Sequence, residues 1–278
     1  MIITNLTGGL GNQMFQYAFG RYLALKNNTN LKLHFTNALF NTQYSYGLDV
    51  FKIQAEIATD EDLINMKVVK NRIINRLLYL IDERFCIQLN DHIVTQKYPY
   101  TFDFKYQNIK NNTYVQGFWA DEKYFKEIEY LLKKEIYPKE DFDKKNKRIA
   151  KIIQNTDSVS IHVRRGDYVN NIYNPKAIVL GIEYYINSIK IISKKVKKPV
   201  YFVFSNDIEW CRQNLKIRNK TYFIDHNKGS NSYRDIQLMS LCKHNIIANS
   251  TFSWWGAWLN SNKCKILIKP INEKSSKQ

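Results

Sequence analysis

The chain has 278 residues, of which 44% are hydrophobic and 24% charged, a composition that suits a folded globular protein and excludes a largely disordered one. An excess of basic over acidic residues gives a formal net charge of +17, which favours polyanions, anionic lipid head groups or phosphorylated small substrates. The four cysteines are scattered, so neither zinc-ligand spacing nor a disulfide framework is indicated.

The ends and surface runs of the chain bear on its location. The first residues show no basic segment followed by a long apolar core, so no secretory signal is expected, and no stretch approaches the apolar length of a membrane span. A reducing cytoplasm is the expected compartment. Lysine-rich runs at 144–148 and 194–198 are interpreted as solvated helix ends and loops, with peripheral contact to an anionic membrane as the main alternative.

The chain opens with a strand, a glycine turn and a helix. An apolar strand is expected over 2–6, three glycines follow, and Asn12 is the expected N-cap of a helix over 13–26. A strand over 31–35 completes a β-loop-α-β unit, which is typical of α/β folds. The turn lacks the third glycine of a dinucleotide fingerprint, so a nicotinamide site is not expected. Its glycines either only allow a sharp turn or bring backbone N–H groups close to a ligand.

The middle of the chain has weaker patterns. Helices are expected over 57–80, 122–135 and 139–151, and a strand over 113–118. A domain boundary is placed near Thr156, which divides the chain into residues 1–156 and 157–278.

After Thr156, strands and helices alternate regularly. Five strands interleaved with helices predict a parallel, doubly wound sheet, and hence a Rossmann-like domain. The expected strands are 158–163, 200–204, 221–224, 245–248 and 265–268, and the expected helices are 183–195, one from 208, 232–242 and 252–259.

Polar clusters follow four of these strands where each strand ends. Because the carboxyl ends of parallel strands share one edge of a sheet, the clusters are expected to converge on one cleft. The first contains Arg164, Arg165 and Asp167, the second Ser205, Asn206 and Asp207, the third Asp225 and His226, and the fourth Asn249, Ser250, Thr251 and Ser253.

The stretch SIHVRRGDY, residues 160–168, has two interpretations. In one, the two arginines form structural ion pairs and His162 is a core residue. In the other, the arginine forks bind the oxygens of a diphosphate, as their geometry suits phosphate. Ser250 and Thr251, at the start of the next helix, are then expected to hold an anion at its positive end.

The remaining clusters also allow two interpretations. Asp207 or Asp225 is a candidate acceptor for a ribose hydroxyl or a guanine edge, whereas the alternative for residues 205–207 is that they cap the following helix. The three tryptophans of residues 254–258 have helical spacing, which favours core packing over sugar stacking.

Four motifs in order, GGLGNQMFQYAFG, HVRRGDY, FSND and NSTFSWWGAWL, resemble the α-1,2-fucosyltransferases of bacterial and animal origin. The resemblance spans residues 8 to 259. It implies an inverting glycosyltransferase of the B-type fold, in which two Rossmann-like domains face a central cleft, with no cofactor and no required metal. The implied donor is GDP-β-L-fucose, and the implied acceptor is the 2-hydroxyl of a terminal galactose in an O-antigen, capsule unit or similar glycan.

The resemblance also implies roles for individual residues. Arg164 would contact the donor diphosphate with support from Arg165, and the glycine turn would place Gly11, Asn12 and Gln13 near the donor. For the general base the candidates are Asp167, which is preferred, and His162; either could instead orient Arg164.

Two acidic stretches, Asp60-Glu61-Asp62 and Asp141-Phe142-Asp143, contain the DxD pattern of metal-binding transferases. Neither follows an apolar strand, so both are interpreted as helix-start or loop acids.

Two alternatives are retained. The first keeps the fold and changes the donor to another GDP-sugar. The second is a basic nucleic-acid-binding protein, which is disfavoured because most aromatic residues fall on apolar faces instead of interleaving with basic residues.

Overall fold

The computed structural model describes residues 1–35, 45–66, 68, 92–170 and 178–271, apart from the side chains of Asp167 and Asn170. The chain divides into two compact units, residues 1–140 and 141–278. Each unit contains a five-stranded sheet whose strand pairings are parallel. The predicted α/β class with parallel sheets is therefore confirmed.

The sheet of the first unit is built around its first strand. Strand β1 (Ile2–Leu6) is completely buried and lies between β2 and β5, in the order β3-β2-β1-β5-β4. The other strands are β2 (Leu31–Phe35), β3 (Glu56–Ile57), β4 (Ile93–Thr95) and β5 (Thr113–Gln116), and the helices are α1 (Leu10–Lys26), α2 (Asp60–Asn65) and α3 (Glu129–Glu135), with 3₁₀ segments at Phe104–Asn108, Glu122–Tyr124 and Lys126–Ile128.

Helix α1 forms the core of this unit. Its ring Phe19 stacks on Trp119 with centroids 4.2 Å apart, and Trp119 meets Tyr124 edge to face at 5.8 Å. On another side, Arg21 of α1 forms a buried ion pair with Glu135 of α3 at 2.9 Å. Aromatic packing against Trp119 and the ion pair with α3 together hold α1 in place.

Two predicted helices of this unit are corrected. In the stretch 57–80, Ile57 belongs to β3 and the helix starts only at Asp60, because Thr59 and Asp62 form a capping box there; residues 67 and 69–80 lie outside the described residues. In the stretch 122–135, the α-helix begins only at Glu129, since Phe125, with φ −138° and ψ 14°, departs from helical geometry and separates two 3₁₀ turns.

The sheet of the second unit has the order β10-β9-β6-β7-β8. Its strands are β6 (Asp157–Val163), β7 (Pro199–Ser205), β8 (Thr221–Ile224), β9 (His244–Ile246) and β10 (Leu267–Ile268), and its helices are α4 (Lys144–Gln154), α5 (Gly166–Asn170), α6 (Ile182–Lys195), α7 (Ile208–Asn214), α8 (Tyr233–Leu241) and α9 (Thr251–Trp258). All five predicted strands and the helices between them are present, with ends shifted by a few residues.

Helix α4 belongs to the second unit. The predicted helix over 139–151 starts only at Lys144, because the Asp143 carboxylate caps it by accepting from two backbone N–H groups. The Asn146 amide of α4 bonds Asn227, and Asn227 in turn donates to Asp235 of α8. The compact units consequently divide at residue 140, earlier in the chain than the expected position near Thr156.

Candidate functional site

The second sheet has a topological switch point at β6. From β6 the chain continues to β7 and β8 on one side, and then returns to β9 and β10 on the other. Val163 at the end of β6 pairs with Ser205 of β7, and Ile161 pairs with Ile246 of β9. In open α/β sheets ligands bind beyond the carboxyl ends of strands at such a point. The arginine motif begins there.

Arg164 lies at the meeting point of three segments. Its guanidinium lies 5.4 Å from the centre of the Tyr168 ring, and the Tyr168 hydroxyl donates to Asn249 O at 3.4 Å. Buried Tyr185 of α6 hydrogen-bonds to the Arg164 backbone. The end of β6, helix α5 and the segment after β9 therefore converge on this cation.

Arg165 is held by the loop after β7. Its backbone N–H donates to Asn206 Oδ1 at 3.0 Å, its Nε lies 3.5 Å from Asp207 Oδ2, and its guanidinium carbon lies 4.0 Å from the centre of the Trp210 ring. Asp207 also caps α7, because its Oδ1 accepts from Trp210 N, and the Asp207 backbone N–H donates to the Ser205 hydroxyl at 2.9 Å. The helix-capping interpretation is confirmed for Asp207, which also contacts Arg165.

His162 is a packing residue. It is 4% exposed, and its ring lies 5.6 Å from that of Phe252 in α9. Burial, together with the nearby Arg164 charge, lowers the pKa of His162 to about 3. A side chain that releases its proton this readily is neutral at neutral pH and is a poor base. The burial and lowered pKa favour the core interpretation of His162 over its role as the second candidate for the general base.

The start of α9 supplies the third part of the edge. Ser250 is the N-cap in extended conformation, and its carbonyl accepts from Trp254 N at 3.0 Å. Thr251 opens the helix, so its first-turn N–H groups carry the positive end of the helix dipole. Asn249 Nδ2 donates to Ile178 O at 2.8 Å, which fixes the approach to this helix.

Helix α9 itself is anchored by its tryptophans. Trp255 is completely buried, whereas Trp254 and Trp258 are half-buried and stack with centroids 5.9 Å apart. The core-packing interpretation is confirmed for Trp255.

The third predicted cluster, Asp225 and His226, does not join the other three. Asp225 is exposed and pairs with Arg212 of α7 at 2.7 Å. His226 Nε2 lies 3.0 Å from Asn146 Oδ1. Both residues follow the outer strand β8, away from the switch point, so they bind neighbouring helices. Asp167 lies in α5, and its side chain is outside the described residues.

The glycine turn lies at the switch point of the first sheet, after β1. Gly8 has a φ of +73°, and a Cβ on it would lie 2.8 Å from Asn12 Nδ2, so glycine is required there. The N-cap is Gly9 rather than Asn12, since α1 already begins at Leu10 and Gly11 is buried in its first turn.

Gln13 shapes this turn. It is completely buried, its Nε2 donates to Gly8 O and Ser45 O at 2.9 Å each, and its Oε1 accepts from Gly47 N at 3.0 Å. Both ends of the amide are engaged with backbone, so Gln13 fixes the shape of the loop.

The two acidic stretches are helix starts, as predicted. Asp62 completes the capping box of α2 and pairs with Lys32 at 2.8 Å, which lowers the pKa of Asp62 to about 2. Asp143 caps α4. Among the described residues, no group of three His, Cys, Asp or Glu side chains is placed to hold a metal ion.

Sequence reasoning missed two aromatic residues of the site. Tyr168 lies under Arg164, and Trp210 lies under Arg165. Tyr168 closes the arginine motif, and Trp210 follows Asp207 by three residues, which is the spacing of a helix cap to its first turn. These two sequence positions were the signals from which the two aromatic residues could have been predicted.

The whole chain, residues 1–278, matches the family model Glycosyl transferase family 11. The chain belongs to glycosyl transferase family 11. The resemblance to α-1,2-fucosyltransferases in the four motifs is thereby confirmed. We call Arg164, Arg165 and the segment 249–251 that opens α9 the arginine edge, and it is the candidate site of this family 11 transferase.

Curated relatives agree with this membership. The chain is 35% identical to an Escherichia coli alpha-1,2-colitosyltransferase, with 97% of this chain and 91% of the relative covered. It is 30% identical to the Escherichia coli O-antigen biosynthesis glycosyltransferase WbnK, with 95% and 92% covered. A galactoside alpha-(1,2)-fucosyltransferase 2 of Rattus norvegicus is 33% identical over 36% of this chain and 29% of its own.

Solved structures share the fold. NodZ alpha-1,6-fucosyltransferase soaked with GDP-fucose matches with a TM-score of 0.52 at 13% identity, covering 93% of this chain and 91% of NodZ. A mutant of Arabidopsis thaliana FUT1 in complex with GDP matches with a TM-score of 0.54 at 12% identity, covering 98% and 70%. At these identities the likeness concerns the fold alone. Within the described ranges, no helix of this family 11 transferase is both long and apolar enough to cross a membrane.

Proposed function

We propose that this family 11 transferase moves L-fucose from GDP-β-L-fucose to the 2-hydroxyl of a terminal galactose, with inversion at the fucosyl carbon. In this proposal the protein acts in the cytoplasm on an O-antigen or similar glycan. The donor binds to the second Rossmann-like domain and the acceptor to the first, as in B-type transferases.

One observation carries the proposal. At the switch point of the second sheet, the Arg164 guanidinium lies over the ring of Tyr168, and the Tyr168 hydroxyl bonds the segment that opens α9. An arginine fork and the N-terminus of a helix are two groups that bind phosphate oxygens. A diphosphate of a nucleotide-sugar suits this edge in charge.

Arg164 supplies the electrostatic part of the mechanism. As the bond between fucose and the β-phosphate breaks, negative charge grows on the phosphate while the sugar becomes oxocarbenium-like. A cation fixed at the phosphate stabilises that arrangement more than it stabilises the bound donor, and so lowers the barrier. We assign this role to Arg164, in a reaction that requires no metal.

Arg165 positions Arg164 through its own contacts with the loop after β7. Its pairing with Asp207 and Trp210 ties the loop after β7 to the turn after β6. Gly166 makes the same contact tight, because a Cβ on it would lie 2.6 Å from Asn206 Nδ2. We expect Arg165, Ser205 and Asp207 to act through the position of Arg164, and Asn249, Ser250 and Thr251 to contact the diphosphate.

Asp167 is the proposed general base. With His162 too weak a base, Asp167 is the remaining candidate of the motif. We expect Asp167→Asn to lose the acidic limb of the pH–rate profile while donor binding is retained. Turnover equal to that of the wild type would contradict the assignment.

A different donor sugar is the second candidate. The 35% identity to a colitosyltransferase over nearly the full length favours a donor carrying a colitosyl group in place of fucose. The two candidates share the diphosphate, so the arginine edge serves both, and only the sugar-binding part of the site differs.

The experiment is a transfer assay with the full-length protein in EDTA. GDP-fucose and a GDP-linked colitosyl donor are each offered with β-galactoside acceptors, and the product linkage is determined by NMR. The proposal predicts an α-1,2-fucosylated galactoside and GDP release. Transfer from the colitosyl donor alone would select the second candidate, and turnover of neither would refute the family-based assignment of the donor.

A further inference from the structure

An exposed aromatic pair lies at the carboxyl edge of the first sheet. Tyr100 follows β4 by five residues and Phe118 follows β5 by two, and their rings stack with centroids 5.6 Å apart and an angle of 9° between planes. Tyr100 is 58% exposed, whereas Phe118 is half-buried. One face of the Tyr100 ring therefore lies against Phe118, while more than half of the residue is exposed to solvent.

Phe118 is mounted rigidly. Gln96 is buried, and its Oε1 accepts from the backbone N–H groups of both Phe118 and Trp119 at 2.9 Å. Trp119 is completely buried in the aromatic core against Phe19. Gly117 allows this close packing, because a Cβ there would lie 2.5 Å from Gln96 Cβ. The lower ring of the pair is thus fixed to the core.

Tyr100 adopts a backbone conformation that is unfavourable for its side chain. Its φ is +65°, in the left-handed region that bulky residues rarely adopt. Residues held in this region cost free energy and concentrate at binding sites and active sites. An exposed ring kept in place at such a cost is unusual for a side chain with no ligand.

The pair also lies beside the glycine turn. Gln16 of α1 donates from Nε2 to Gly117 O at 2.9 Å and accepts from Thr7 N at 2.9 Å. This one buried amide joins the segment after β1 to the segment after β5. The aromatic pair is therefore next to the switch point of the first sheet, where ligands of α/β sheets bind.

We infer that the Tyr100–Phe118 pair is the platform on which the galactopyranose ring of the acceptor stacks. This inference rests on the proposed function. The C–H bonds at C3, C4 and C5 of β-galactose lie on one face of the sugar and form an apolar patch, and such a patch packs against the face of an aromatic ring. The hydroxyls then remain at the rim, which leaves the 2-hydroxyl available for transfer.

A membrane surface is the rival ligand, since Tyr98 is also exposed and Lys97 Nζ lies 5.4 Å from the centre of its ring. Aromatic residues at membrane interfaces need no fixed ring orientation. The rigid mount of Phe118 and the constrained Tyr100 backbone instead present one flat face in one direction, which suits a flat sugar face.

The test compares three variants of the full-length protein. Tyr100→Asn keeps a residue that tolerates positive φ and removes the ring, and Tyr100→Phe keeps the ring. Tyr130→Ala is the matched control, because Tyr130 is a 73% exposed tyrosine on α3 with a lysine over its ring. Thermal unfolding of each variant confirms that it is folded.

Kinetics give the first readout. With methyl β-galactoside as acceptor, Tyr100→Asn is expected to raise the acceptor KM about tenfold, the amount that an aromatic contact is worth. The donor KM and the slow release of GDP without acceptor are expected to stay unchanged, and Tyr100→Phe and Tyr130→Ala to behave like the wild type. An unchanged acceptor KM in Tyr100→Asn would overturn the inference, as would reduced binding to anionic vesicles with unchanged kinetics.

Saturation-transfer NMR of methyl β-galactoside gives a readout that needs no donor. The wild type is expected to transfer magnetisation most strongly to the protons at C3, C4 and C5, and Tyr100→Asn to lose this pattern. Absence of the pattern in the wild type would overturn the inference. If the pattern is present but GDP-fucose is not turned over, the proposed donor fails while the galactose platform stands.

Discussion

At the scale of single residues, a row of hydrogen-bonded polar side chains joins α4 to α8 in the second unit. Asp143 accepts from Asn146, Asn146 bonds Asn227, and Asn227 Nδ2 donates to Asp235 Oδ1 at 2.8 Å. Such bonds allow the buried amides of Asn146 and Asn227 to be tolerated inside the protein. Asp235 is the last residue of this row, and burial of its carboxyl group raises its pKa.

Asp235 gives a prediction about pH. Burial raises the pKa of Asp235 to about 7, against 3.8 in an unfolded chain. Between these values the folded protein binds a proton that the unfolded chain does not, so stability falls as pH rises from about 4 to about 7. We expect Asp235→Asn to remove this pH dependence of the free energy of unfolding, which amounts to on the order of 2–4 kcal/mol at neutral pH. Denaturant unfolding at a series of pH values measures it.

The control for this measurement is Asp225→Asn, which changes an exposed carboxylate of the same unit. It is expected to leave the pH dependence of unfolding as in the wild type. If Asp235→Asn and the wild type show the same pH dependence of unfolding, Asp235 has the same pKa in the folded and the unfolded protein, and the prediction is wrong.

Individual site residues were predictable to different degrees. Arg164 could be placed because a β-branched run identifies the strand before it, and a strand end is a local feature. The engagement of Gln13 with Ser45 and Gly47 could not, since these contacts join segments more than thirty residues apart. For the same reason sequence patterns did not reveal the depth of burial of His162.

At the scale of elements, helix α1 packs against β1 more closely than a side chain would allow. A Cβ on Gly20 would lie 2.0 Å from Thr4 Oγ1 and 2.9 Å from Leu31 Cδ1. Gly20 ends the first of the four family motifs. We attribute its presence to this helix-to-strand contact, which also sets the position of the glycine turn at the other end of α1.

Substituting Gly20 tests that contact. Alanine favours a helix by about 1 kcal/mol over glycine, but the overlap with Thr4 is expected to outweigh this gain and to lower the free energy of unfolding by about 1–3 kcal/mol. In the double variant with Thr4→Ala the loss should be smaller than the sum of the single losses. A Gly20→Ala protein more stable than the wild type in denaturant unfolding would refute the close contact.

The elements of the second unit were predicted better than those of the first. Their strands are buried apolar runs separated by polar turns, so each one is visible locally. In the first unit the two-residue strand β3 exists only through its pairing with β2, and the 3₁₀ turns after β5 are set by the Asp121 cap and Phe125. Such features depend on partners that a local pattern does not contain.

At the scale of the whole molecule, the positive charge lies on the surface. The lysines of the runs 144–148 and 194–198 are exposed, on α4 and at the end of α6. They form no part of the arginine edge. One relative of this glycosyltransferase is an O-antigen biosynthesis enzyme. We propose that the partner of this surface charge is an anionic membrane.

Vesicle sedimentation tests the membrane contact. We expect the protein to pellet with anionic phospholipid vesicles at about 0.02 M salt and to be released at about 0.5 M, where exposed charges are screened over a few ångströms. Zwitterionic vesicles should not bind it. Changing Lys194, Lys195, Lys197 and Lys198 together to glutamine should weaken binding without changing turnover of a soluble acceptor. Failure to bind anionic vesicles at low salt would exclude this contact.

We propose that Arg164 is the cation that binds the donor diphosphate, and donor binding measured together with turnover examines this role. GDP affinity by calorimetry and GDP-fucose turnover are measured for Arg164→Ala and for Arg212→Ala, an exposed arginine of the same unit. We expect Arg164→Ala to lower turnover by about 10²–10³-fold, as loss of one transition-state contact does, and to weaken GDP binding, while Arg212→Ala behaves like the wild type. If Arg164→Ala keeps the turnover and the GDP affinity of the wild type, Arg164 does not bind the diphosphate.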